Sequence, residues 1–87
     1  MSVSTDELIT EITGIVAEEL GIAAEAVSPD ADLRAVEGAD SVKVLRVIAR
    51  IERAHDVELE DEEVFGASTV REVAEVLRSA LAESAAV

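Results

Sequence analysis

Few residues in this sequence are of types that do chemistry unaided. There is one histidine, His55, and there is no cysteine, tryptophan or tyrosine. A lone histidine at a helix end, without a nucleophile beside it, reads as a packed or solvated side chain and not as a catalytic base. Metal-ligand spacing of His or Cys is absent. Carboxylates are plentiful, yet scattered in a way that suggests solvation more than a tuned acid–base pair. One residue stands apart because of its setting. In "GADSV", Gly38 to Val42, Ser41 follows Asp40 at the mouth of an apolar-periodic segment. A hydroxyl there can serve as an ordinary first-turn or capping group. It can also be a displayed attachment point, because a helix N-terminus with its unsatisfied N–H groups favours a bound phosphate. Asp40 opposes that slightly by its own charge, while offering a carboxylate to a modifying enzyme or its metal ion.

The elements that would position Ser41 can be read from period and capping. The first helix is expected over residues 4–21: Ser4 and Glu7 fit the S-x-x-E capping box, and Leu8, Ile12, Ile15, Val16 and Leu20 follow helical spacing. Gly21 fits the residue that ends it. Residues 22–39 form a long connector with the only proline, Pro29, and with Ile22, Val27, Leu33 and Val36 as anchors to the core. Its "DADLRAVEGADS" faintly resembles a calcium loop, but Arg34, Ala35 and Ser41 stand where a carboxylate-type ligand, glycine and glutamate are needed. The second helix starts with Asp40 as its cap and carries a wide apolar stripe of Val44, Leu45, Val47, Ile48 and Ile51. Lys43, Arg46, Arg50 and Arg53 lie largely on another face. "EDEEVF" before Gly66 reads as one short helical turn. The last helix, in residues 68–83, has Thr69 and Glu72 as a capping box and a stripe of Val70, Val73, Leu77 and Leu81; "SAAV" after it is expected to fray. The expected fold is all-α: three main helices and one short one in a small four-helix bundle, with the long loop between the first two. We take residues 1–87 as a single domain with a core of about 5–82.

Composition narrows the function classes. The formal net charge is −13, which opposes binding to nucleic acid or to an anionic membrane surface. No basic leader or long apolar run is visible, so a cytoplasmic protein is the expectation. The charge is uneven. Residues 1–33 contain no Lys or Arg, four of the seven basic residues fall between Lys43 and Arg53, and "DVELEDEE" from Asp56 is strongly acidic.

The motif "GADSV", placed after a long loop and before an amphipathic helix, resembles the G-x-D-S-[LIV] modification motif of acyl carrier proteins. The resemblance extends over about residues 5–82. It takes in the capped first helix, the loop with "SPDADL", the short acidic third helix and "STVREVAEVL". It implies the fold of that family, and it implies that Ser41 is the attachment point of 4′-phosphopantetheine, with Asp40 part of the motif the transferase recognises. A separate phosphopantetheinyl transferase would bring the group from coenzyme A, using magnesium. Acyl cargo would then ride as a thioester on the arm's thiol, which suits a chain without cysteine. The protein itself would not be an enzyme but a monomeric substrate of acyl-loading, acyl-transfer or ketosynthase partners. A tether of this kind raises the effective concentration of cargo at partner active sites.

The resemblance has departures. Val42 replaces the commoner leucine after the serine. More consequentially, the family's second helix is the surface partners most often read, and in fatty-acid synthesis it is usually acidic. Here Val42, Lys43, Arg46, Arg50 and Arg53 form the expected partner-binding set, and only Glu52 in the same helix opposes the four cations. This points away from general fatty-acid biosynthesis and toward a dedicated, freestanding carrier of a specialised polyketide or hybrid pathway, such as antibiotic biosynthesis. A peptidyl carrier loaded with an amino acid is the nearest alternative; Asp40 before the serine favours acyl cargo. An unmodified helical interaction module sharing the fold is a further alternative.

Overall fold

The computed structural model describes residues 4–36 and 38–85; the side chains of Ser41, Asp61, Phe65, Ser84 and Ala85 lie outside that description. Four α-helices occur among the described residues: α1 (Thr5–Leu20), α2 (Ser41–His55), α3 (Asp61–Gly66) and α4 (Val70–Ala85). Their starts are set by local side-chain hydrogen bonds. Ser4 Oγ accepts the Glu7 N–H at 3.2 Å, Asp40 Oδ1 accepts the Lys43 N–H at 2.8 Å, and Thr69 Oγ1 accepts the Glu72 N–H at 3.1 Å. Each satisfies a donor that the helix itself cannot pair. Glu72 reaches back in turn, accepting the N–H of Ser68, one residue before the cap, at 3.2 Å. Gly21 ends α1 in the left-handed region, with φ 69°. The corresponding residue after α2 is not glycine but Asp56, at φ 52° and ψ 48°, whose N–H donates to the Glu52 carbonyl. Helix α4 runs through Ala85, so Ser84 and Ala85 are helical and not frayed as expected; Ala86 and Val87 lie outside the described residues.

The apolar stripes meet where α1 packs against α2 and α4, and α3 packs on α4. Leu8, Ile12, Val16, Ile51, Val70, Val73 and Leu77 are the deeply buried side chains. At about 25 cal/mol per Å² of apolar surface, this aliphatic core is the main force holding the helices together. Ile9, Ala17 and Ala74 are also buried, and they widen the expected stripes. Leu45 departs from expectation. It belongs to the apolar stripe of α2, yet it is 51% exposed. The stripe is broader than the face that α1 and the loop can cover, and Leu45 stands at its uncovered edge.

The long connector is folded back onto the helices. It contains two short 3₁₀ turns, Ala24–Ala26 and Leu33–Ala35. Val27 and Leu33 are buried, with Ile22 packed against them in part. The Leu33 N–H donates to the Ser68 carbonyl at 2.8 Å, and the Arg71 N–H to the Pro29 carbonyl at 3.0 Å. Arg71 also holds Asp30 through Nε at 2.7 Å and Nη2 at 3.3 Å. The loop is thus tied to the start of α4, and its last residues deliver the chain to α2 from a set direction.

Candidate functional site

The mouth of α2 is built by a turn, a cap and a returning side chain. Gly38 has φ 85°, a conformation that side-chain-bearing residues rarely adopt, so the turn into the helix requires glycine here. The Ala39 N–H donates to the Val36 carbonyl at 3.0 Å and closes the turn. Asp40 is extended, at φ −148° and ψ 169°, and caps the helix. Ser41 is then the first residue of α2. Its neighbours Gly38, Asp40 and Val42 are all exposed, so a partner can reach this end of the helix from solvent. Lys43 turns back along the helix, and its Nζ donates to the Gly38 carbonyl at 3.1 Å. The ammonium therefore sits at the N-terminal end of α2, where the helix dipole is also positive. Both features suit a phosphodiester attached at the first helical residue, and they offset the charge of Asp40. By the chemistry of these groups, the site fits a phosphate-bearing arm.

Below the helix start lies a narrow apolar cleft, bounded by Leu33, Val44, Leu45, Ile48, Val64 and Val73, with a volume of about 30 Å³. That is room for about two water-sized groups, so an acyl chain would enter only if its walls parted.

The other cations of α2 have unlike fates. Arg50, expected among the partner-binding residues, is committed to α1: Nη2 lies 2.6 Å from Glu18 Oε2 and Nη1 3.3 Å from Glu19 Oε1. The hydrogen bond it donates to Glu18 raises the pKa of this guanidinium. Arg50 thus has carboxylate partners in α1, besides the one acidic residue of its own helix. Glu52 itself is engaged elsewhere, with Oε2 accepting the Leu59 N–H at 2.8 Å. His55 is partly buried at the end of α2. Its Nε2 lies 2.8 Å from Glu11 Oε1, joining the end of α2 to the middle of α1. Arg46 and Arg53 are exposed and have no ion-pair partner among the described residues. Sequence reasoning missed the Glu18, Glu19 and Glu11 contacts because all three span more than thirty residues of chain.

The sequence model of the phosphopantetheine attachment site family matches residues 10–77, which contain α2 and its mouth. The chain belongs to this carrier-protein family. A relative, the acyl carrier protein of Syntrophobacter fumaroxidans, is 34% identical over 67 residues, covering 77% of this chain and 83% of the relative. Among solved structures, a free-standing peptidyl carrier protein from an uncharacterized secondary metabolic pathway of Acinetobacter baumannii superposes with a TM-score of 0.80. It is 27% identical and covers 90% of this chain and 96% of its own. The oxytetracycline acyl carrier protein superposes with a TM-score of 0.71 at 25% identity, covering 97% and 87%. Membership carries with it a covalently attached 4′-phosphopantetheine. Carrier proteins of this family are generally non-catalytic, and they work with phosphopantetheinyl transferases and biosynthetic enzymes. Among the described residues no helix is long and apolar enough to cross a membrane.

Proposed function

We propose that this protein is an acyl carrier of a polyketide or hybrid biosynthetic pathway, with the phosphopantetheine arm on Ser41. The observation that carries the reading is the position of Ser41: the first residue of α2, directly after the capping Asp40 and flanked by exposed residues. When attached, the arm supplies a thiol that holds cargo as a thioester. The chain's own residues hold the attachment point. Gly38 makes the turn, Asp40 fixes the helix start, and Lys43 brings positive charge to the end of α2 that would bear the phosphodiester. The buried stripe of α2 keeps that end fixed on the bundle while the cargo travels. We read about residues 5–82 as the carrier core.

Acyl cargo is favoured by Asp40 before the serine and by the similarity to an acyl carrier protein. A second reading, an aminoacyl-loaded carrier, is favoured by the similarity to a peptidyl carrier. The test for the site is intact mass after incubation with coenzyme A, magnesium and a promiscuous phosphopantetheinyl transferase. The expected result is one phosphopantetheine per chain, lost in Ser41→Ala with helical circular dichroism unchanged. Peptide mapping that placed the group on another serine would overturn the assignment. Loading of the arm-bearing protein by malonyl transferases, against loading by amino-acid-activating enzymes, then separates the two cargo classes.

A further inference from the structure

We infer that an open groove on the long connector, between its two 3₁₀ turns, is the resting place of the phosphopantetheine arm. The inference deepens the proposed function and rests on it for the arm at Ser41. The groove is lined by Ile22, Ala26, Ala31, Asp32, Ala35 and Val36 and has a volume of about 290 Å³, against about 30 Å³ for the apolar cleft below α2. Ile22, Ala31 and Val36 are half-buried, while Ala26 and Ala35 are exposed. Mostly methyl walls with a single polar group among them are the usual make-up of a small-ligand site. The walls are also held from behind. Val27 and Leu33 are buried, the Leu33 N–H is bonded to the Ser68 carbonyl, and Asp32 Oδ1 accepts the Arg34 N–H at 2.9 Å. The groove therefore exists before anything enters it.

Reach and chemistry select the occupant. The Ala39 N–H donates to the Val36 carbonyl, and Ser41 follows two residues later. A turn of that kind keeps its end Cα atoms within about 7 Å, and two further residues add at most about 7 Å, so the Cα of Ser41 lies no more than about 14 Å from that of Val36. From phosphorus to sulfur the extended arm is about as long as five extended residues, roughly 17 Å. The groove is thus within the tether's span. Beyond its phosphodiester the arm is neutral, with geminal methyls, a hydroxyl and two amides. The methyls match the Ala, Ile and Val walls, and the Asp32 carboxylate keeps acceptor capacity for an amide N–H or the hydroxyl. A free anionic metabolite is disfavoured by the net charge of −13. An open groove of this size binds weakly, but a short tether holds the arm at a millimolar effective concentration, so even a millimolar site is half filled. Weak binding also lets a partner draw the arm out.

The test uses the ¹³C,¹⁵N-labelled full chain, loaded enzymatically with an unlabelled arm and checked by intact mass. Isotope-filtered NOEs are expected from the arm's geminal methyls to the methyls of Ile22, Ala26, Ala31 and Ala35. These positions are read because amides beside Ser41 shift on loading wherever the arm rests. Ala35→Trp fills the groove from an exposed position. It is expected to abolish the contacts to Ile22, Ala26 and Ala31 and to speed alkylation of the arm's thiol by iodoacetamide at least twofold. Circular dichroism checks its fold, and Ala26→Trp fills the groove from the opposite wall should the first variant unfold. Three results would each overturn the proposal: a loaded chain without groove contacts, arm contacts to Leu45 and Val64 in their place, or groove contacts and alkylation rate unchanged in the filled variant. A chain that takes no arm at all, as intact mass reports, overturns the carrier reading and this inference with it, so the two failures are distinguishable.

Discussion

Leu45 and Ile51 lie in the same apolar pattern of α2, and the structure gives them opposite roles. Ile51 is fully buried, while Leu45 is 51% exposed at the edge of the cleft. Truncating Ile51 to Ala removes buried methylenes and leaves a cavity, a change that costs about 2–5 kcal/mol. Full burial of a leucine side chain is worth about 1.5–3 kcal/mol, so at half exposure Leu45→Ala should cost about 1 kcal/mol or less. A domain of this size has a total stability of roughly 4–13 kcal/mol at 0.05–0.15 kcal/mol per residue, so the first change takes a large share and the second does not. In melting temperature, at about 4–8 °C per kcal/mol, Leu45→Ala should shift the transition by about 8 °C at most and Ile51→Ala by roughly 8 °C or more. Urea unfolding followed by circular dichroism at 222 nm measures both, with the m-value checked for constancy. Equal losses for the two variants would show that Leu45 belongs to the core.

Two further outcomes follow from the caps and the loop. Asp56 holds a left-handed conformation that glycine adopts without strain, and it opens the acidic run, so Asp56→Gly is expected to stabilise the fold by about 0.5–1 kcal/mol; a lower urea midpoint would contradict this. The hydrogen bond from Arg71 lowers the pKa of Asp30 below its ordinary 3.8. A lowered carboxylate contributes stability that is present above the unfolded value and lost as pH falls through the folded one. The advantage of wild type over Asp30→Asn should therefore be seen at neutral pH and vanish as pH falls below about 3.8; thermal melts that differ equally at all pH values would refute the role of the pair.

What could be read from the sequence was mostly local. Ser4, Asp40 and Thr69 announce their helices because a cap and the amide it pairs with are three residues apart, and Gly21 marks an end by the same kind of short-range logic. The left-handed Asp56 left a fainter trace, since aspartate is tolerated there but occurs in many other places. Long-range facts left none. The Leu33–Ser68 backbone bond and the Asp30–Arg71 pair fold the connector onto α4, and nothing in residues 22–39 by themselves names those partners. Periodicity found the apolar stripe of α2 but not its boundary, because coverage depends on what packs alongside. Leu45 and Val47 look alike in sequence, and only the packed bundle exposes one and buries the other.

The same limit explains the arginines of α2. At about 100° per residue, Arg50 is rotated about 40° from Arg46 and about 60° from Arg53. That modest rotation brings it within reach of the last turn of α1, where Glu18 and Glu19 lie and where the helix dipole is negative. Helix α1 has no basic residue of its own in that turn, so Arg50 supplies the missing cation from the neighbouring helix. Arg46 and Arg53 stay on the solvent side of the same helix. Reversing the charge at position 50 would set three carboxylates against one another and disturb the seat of α2, so weakened docking in such a variant would not identify a contact. Reversing 46 and 53 leaves the α1–α2 ion pairs intact. A change in partner preference there reports the outer face alone, and the charge of that face is what sets this carrier apart from its acidic surroundings.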